Sequence, residues 1–192
     1  MKTTNFLVIF LIVLLSTSCS QQMDNRPKAD FVPDWKTQLD NQLQLMGHRN
    51  WILVVDKAFP QQNAAGIVTI NTGEALLPVL QHTIKQINQS SHVKPIVFTD
   101  AELNFITEMQ VPEIEKFKTD LFGIIPKEQT QTMLHDSVFV RIAKASELFR
   151  VVVLKTDQVI PYSSVFLQLD CKYWTGENEE LLRESMRNTK MK

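Results

Sequence analysis

The stretch Trp51-Ile52-Leu53-Val54-Val55-Asp56 decides how the rest of the chain is read. Five apolar side chains run without alternation and an acid closes them. A strand with one wet face alternates, whereas an unbroken apolar run of this length is the pattern of a strand buried on both faces. Such a strand needs cover above and below, and the flanking sequence offers it. Upstream, Trp35, Leu39, Leu43 and Met46 recur at helical spacing. Asp34 stands where a cap would start that helix and Gly47 where it would end. Downstream, Gly66–Ile70 reads as a strand closed by Asn71-Thr72-Gly73. Leu76–Ile87 reads as a helix with Leu77, Leu80, Ile84 and Ile87 on one face and Pro78 tolerated in its first turn.

Pro95–Phe98 is expected to be another buried strand ending at Thr99-Asp100, and Ile114, Phe117, Leu121 and Phe122 an amphipathic helix begun by Pro112. Val138–Ile142 is expected as a strand and Ala143–Phe149 as a short helix. Val151–Leu154 and Ser164–Leu169 are the last expected strands, and Glu177–Met186 is a charged helix. Strands alternating with helices predict an α/β fold, a layered α/β/α domain over residues 34–192 with a mixed, largely parallel central sheet.

The N-terminus reads differently. Lys2 precedes ten apolar residues, Phe6 to Leu15, and then Ser16-Thr17-Ser18-Cys19. A basic start, a short apolar core and small residues at the cut make a secretory signal, and ten residues fall short of the roughly 20 that span a bilayer. Small residues before a cysteine resemble a lipobox, which implies a signal peptide over 1–18 and a lipidated Cys19. The polar stretch to Pro33 is then a tether, residues 19–33. The expected location is exported and membrane-anchored, on the periplasmic side of the cell envelope. With Cys19 lipidated, Cys171 has no partner in the chain, so no intramolecular disulfide framework is expected.

A net charge of −1 gives no basic surplus for nucleic acid. No GxGxxG, Walker or GxSxG motif is present, and two cysteines and four histidines show no zinc spacing, so neither a cofactor nor a metal is expected. What remains is polar residues at strand ends, where open α/β sheets bind ligands. His48 enters the first strand and Asp56 leaves it. At full extension they stand roughly 25 Å apart, taking about 3.3 Å per residue. Either the segment bends or two subunits contribute one end each.

The run Leu45-Met46-Gly47-His48-Arg49-Asn50-Trp51 through Val55-Asp56-Lys57-Ala58-Phe59-Pro60 resembles the opening motif of the D-ribose pyranase and L-fucose mutarotase family: a Gly-His pair, an apolar strand, an Asp eight residues after the His, then a Pro. Pro161-Tyr162-Ser163-Ser164-Val165-Phe166-Leu167 resembles its closing motif, a Tyr with an Asn two residues on and then an apolar strand. The resemblance spans about Leu45 to Leu169. It implies a cofactor-independent mutarotase that opens and recloses the ring of a free monosaccharide, assembled as a homo-oligomer with pockets completed by a neighbouring subunit. It makes His48 the acid–base catalyst. Asp56 would accept hydrogen bonds from the sugar, Tyr162 would donate one, and Ser164 would bind in place of the family's Asn. The family's Glu before the Tyr is Gln158 here. For the family's His or Arg ahead of the last strands, the alignment offers Lys144 or Ser146, with Arg141 and His135 nearby. A sugar-binding protein without catalysis, or a partner-binding envelope lipoprotein on the same fold, is the alternative.

Other residues have plainer expectations. Asp100 and Glu102 are either a carboxylate pair at a strand end or a cap. His82 and His92 read as solvated, His135 as a residue ahead of a strand, and Trp51 and Trp174 as packing.

Overall fold

The structure, a computed structural model, describes residues 34–190; the signal peptide, the lipidated Cys19 and the tether lie outside the described residues. Five α-helices and six strands are described. They are α1 (Trp35–Leu43), β1 (Trp51–Val55), β2 (Ile67–Asn71), α2 (Leu76–Gln89), β3 (Val93–Asp100), α3 (Ile114–Ile124), β4 (Thr130–Met133), α4 (His135–Ser146), β5 (Val151–Lys155), β6 (Val165–Cys171) and α5 (Gly176–Lys190).

The strands form one mixed sheet in the order β2-β5-β1-β6-β3-β4. β2, β5 and β1 run parallel, β6 is antiparallel to both its neighbours, and β4 joins β3 in parallel. β1 sits inside the sheet, and all five of its residues are buried. Alternate side chains feed two cores. Ile52 and Val54 pack with Leu39, Leu80 and Leu121, from α1, α2 and α3. Trp51, Leu53 and Val55 pack with Val138 and Ile142 from α4. The layered α/β/α reading of the sequence is the architecture found.

Asp34 does cap α1, accepting from the amides of Lys36 and Thr37 at 3.0 and 3.2 Å. Gly47 does not end that helix. α1 stops at Leu43, and Gly47 opens a turn in which its amide donates to Asn50 Oδ1 at 2.7 Å. Pro78 occupies the first turn of α2, as required.

Two further departures concern the strands. Val138–Ile142 is not a strand; it is the middle of α4. Val138, Ile142 and Ser146 are buried at four-residue spacing, whereas Val140 is exposed. Alternating branched residues fit both periods, and the sheet selected the helical one. β4 was not foreseen. It is a polar edge strand, Thr-Gln-Thr-Met, with no apolar run to betray it.

Candidate functional site

The carboxyl ends of β1, β3 and β4 and the loop entering β6 meet at one edge of the sheet. Asp56 follows β1. Its Oδ2 accepts from Ser164 Oγ at 2.8 Å and its Oδ1 from the Ala58 amide at 2.9 Å. Its own amide donates to Ser164 Oγ at 3.2 Å. Ser164 is fully buried, so its hydroxyl serves Asp56 and fixes that carboxylate at the rim.

Tyr162 has φ of 56°, left-handed backbone that a bulky residue rarely adopts. Its ring meets the His135 imidazole of α4 edge-on at 5.2 Å. His135 in turn lies edge-on to Phe139 at 5.0 Å, and Phe139 stacks on Phe59 at 5.3 Å. Asp56, Phe59, Pro60, His135 and Tyr162 line an open cleft of about 230 Å³.

Behind His135 stands Asp100, the last residue of β3. It is fully buried, and its Oδ2 lies 3.1 Å from His135 Nδ1. Its Oδ1 has no hydrogen-bond partner among the described residues. Burial pushes the Asp100 carboxyl up to about 6; the hydrogen bond and the charge of His135 pull it back, while the carboxylates of Glu102 and Asp56 push it further up. Asp100 does not cap the turn that follows it, Ala101–Phe105. Glu102, in that turn, accepts the His135 backbone N–H on both oxygens, at 3.1 and 3.2 Å, and so anchors the start of α4.

Of the residues singled out in the sequence, the structure brings Asp56, Tyr162 and Ser164 together here. His48 lies at the other end of β1, lining a separate cavity of about 720 Å³ with Arg49, Gln168, Trp174 and Glu179. Arg141 and Lys144 stand one to two turns or more along α4 from His135 and line a groove with Arg49 and Trp51; the Arg141 guanidinium sits over the Phe98 ring at 5.3 Å. The cavity lined by His48 and the cleft lined by Asp56 share no residue, so the two ends of β1 do not meet in one pocket of the chain.

The sequence reading passed over His135 and left the Asp100–Glu102 pair undecided. One signal was available. Asp56 and Asp100 each follow an apolar run, and parallel strands bring such endings to one edge, whereas His135 follows the polar β4. Gln158 is internal to its loop, its Oε1 accepting the Val159 and Ile160 amides at 2.8 and 3.1 Å. His82 packs edge-on to Trp35 at 5.1 Å and His92 Nε2 lies 3.0 Å from the Met46 carbonyl, so neither is merely solvated. Trp51 is packing, stacked on Phe98 at 5.6 Å. Trp174 is partly exposed and donates to Glu179 at 2.9 Å. Among the described residues no three His, Cys, Asp or Glu side chains gather to hold a metal ion.

No family model matches the chain, and no curated protein is similar to it. Solved structures are. RbsD of Bacillus subtilis, complexed with D-ribose, is 14% identical, with a TM-score of 0.50 over 70% of this chain and 92% of that one. FucU of Bifidobacterium longum is 15% identical, with a TM-score of 0.46 over 72% and 95%. The fucose mutarotase of Streptococcus pneumoniae, in complex with L-fucose, is 15% identical, with a TM-score of 0.45 over 68% and 89%. The match to RbsD gives the chain the fold of the D-ribose pyranases and L-fucose mutarotases, the one its two motifs resemble.

Proposed function

We propose that this chain is a cofactor-independent monosaccharide mutarotase whose cleft is the one walled by Asp56, His135 and Tyr162. The observation that carries the reading is the imidazole of His135 set edge-on to Tyr162 beside a fixed carboxylate. Ring opening needs a base for the anomeric hydroxyl and an acid for the ring oxygen. His135 takes the anomeric proton and a second group gives one to the ring oxygen; reclosure of the ring reverses both transfers, with no net proton change. Asp56, held by Ser164 and Ala58, accepts from a sugar hydroxyl. The Tyr162 hydroxyl donates to a sugar oxygen and its ring, with Phe59, offers an apolar wall.

His48 stays in this reading as a second catalytic group, delivered by a neighbouring copy. His48, Arg141 and Lys144 gather at the sheet edge away from the cleft, so they serve it only across a subunit contact, and the working form is an oligomer. The protein is further proposed to be exported and held at the envelope by lipid on Cys19.

Saturation-transfer NMR on free monosaccharides, using residues 20–192, tests the reading. Faster ring exchange for one sugar, lost in His135→Ala, supports it. Saturable binding without exchange makes the protein a sugar carrier. Neither binding nor exchange leaves a partner-binding envelope protein.

A further inference from the structure

His135 can act as a base toward the cleft only if the nitrogen facing it carries no proton. Two tautomers of a neutral imidazole are open to it, and imidazole free in water favours the proton on Nε2, the wrong one for this purpose. Something must hold the proton on Nδ1.

We infer that Asp100 is a positioning residue: its buried carboxylate takes the Nδ1 proton of His135 in a hydrogen bond, fixes that tautomer and dedicates Nε2 to the cleft. The inference rests on the mutarotase reading for its use but not for its geometry. Nδ1 lies 3.1 Å from Asp100 Oδ2, and Asp100 is wholly buried, whereas the His135 side chain is 31% exposed. Nδ1 therefore points inward and the opposite side of the ring, with Nε2, is the side left for a ligand. The ring cannot flip without losing the bond, because Tyr162 and Phe139 meet it edge-on at 5.2 and 5.0 Å. The backbone is fixed as well, since Glu102 receives the His135 amide.

Asp100 has no structural task that would explain its burial. It caps nothing, and Oδ1 is unpartnered among the described residues. The charged groups facing it are His135 of α4, Glu102 of the following turn and Asp56 at the end of β1. Of these only His135 can be a cation, and among the described residues no lysine or arginine pairs with Asp100. A buried carboxylate that bonds one imidazole and nothing else lowers the stability of the fold, so its place is accounted for by a use of that bond and not by packing.

The test reads the proton directly. Protein of residues 20–192, labelled with ¹⁵N in its histidine rings, is studied at pH 7.5 by long-range ¹H–¹⁵N correlation. The expected result is His135 wholly in the Nδ1–H form, with Asp100→Leu shifting it toward Nε2–H while His92 is unmoved. His135 already in the Nε2–H form in the unsubstituted protein overturns the inference, and that measurement needs no variant to fold. So does an unchanged tautomer in a folded Asp100→Leu protein. For a sugar that exchanges, Asp100→Leu should lower the maximal exchange rate roughly 10–100-fold, the scale for loss of a supporting partner, with half-saturation within about threefold. A locked Nδ1–H tautomer with no exchange on any sugar sinks the mutarotase reading and leaves the positioning role standing.

Discussion

At the scale of the residue, Asp100 sets function against stability. Its carboxyl is raised from 3.8 to about 6, chiefly by burial. Between those values the folded chain keeps a proton that the unfolded chain has released. Stability tied to this group is therefore greatest below the unfolded value and falls as pH rises toward 6, after which it is level. A shift of this size is worth about 3 kcal/mol. Asp100→Asn removes the ionisation and keeps the shape. The variant should match the natural protein near pH 4 and exceed it by about 1–3 kcal/mol at pH 7.5. Urea unfolding at pH 4, 5, 6 and 7.5 measures the difference; equal destabilisation at every pH would mean that Asp100 supports the fold. Ser164 works the other way. It satisfies two groups of Asp56 at once, so Ser164→Ala should weaken sugar binding and cost about 1–3 kcal/mol of stability by leaving Asp56 Oδ2 and the Asp56 amide unpartnered.

At the scale of the element, packing decides where glycine is needed. A Cβ built on Gly66 would fall 2.1 Å from the Ser146 carbonyl oxygen and 3.0 Å from that of Phe149. Both are backbone atoms, one in the last residue of α4 and one in the turn after it, so neither can step aside cheaply. Gly66→Ala should force β2 from α4 and lower stability by about 1–3 kcal/mol, seen as a drop in Tm of several degrees. α5 is the opposite case. None of its described side chains is buried, and a chain ending at Thr175 should fold with Tm within a few degrees of the full protein. These elements differ equally in how legible they were. β1 and β5 were legible because strands buried on two faces are apolar almost throughout, and β6 through its buried run Val165-Phe166-Leu167. α4 was misread because Val138, Val140 and Ile142 satisfy a two-residue period until Val140 is seen to be exposed. β4 left no trace, since an edge strand needs only one partner. That misreading hid the site as well. Taking Val138 as a strand made His135 a loop residue, when it is the first residue of a helix planted beside Asp100. Asp56, Tyr162 and Ser164 were named through the resemblance of two motifs to the family's, and the structure sets the three at one edge of the sheet. The meeting of Asp100 with His135, 35 positions apart, depends on β3 lying next to β4.

At the scale of the molecule, the two edges of the sheet pose a question that one chain does not answer. His48 and Arg49 stand at the edge where β1 begins, Asp56 and His135 at the edge where β1 and β4 end. The five residues of β1 stand between them. Head-to-tail contacts between identical chains bring unlike surfaces together and make a ring where the rotation closes. In such a ring each cleft would hold its own His135 and a neighbour's His48. Complementation separates this from a site made within one chain. His48→Ala and His135→Ala should each abolish sugar exchange alone. Unfolded together in equal amounts and refolded, they should recover about one quarter of the natural rate. The cleft needs an intact His135 from its own chain and an intact His48 from the next, and random assembly supplies both in about one site in four. Recovery near zero, with mixed oligomers shown to form, would place both histidines on the same chain's path to the sugar. Full activity of His48→Ala alone would remove His48 from the chemistry and leave the cleft's own residues, His135 supported by Asp100 among them, to carry the proton transfers.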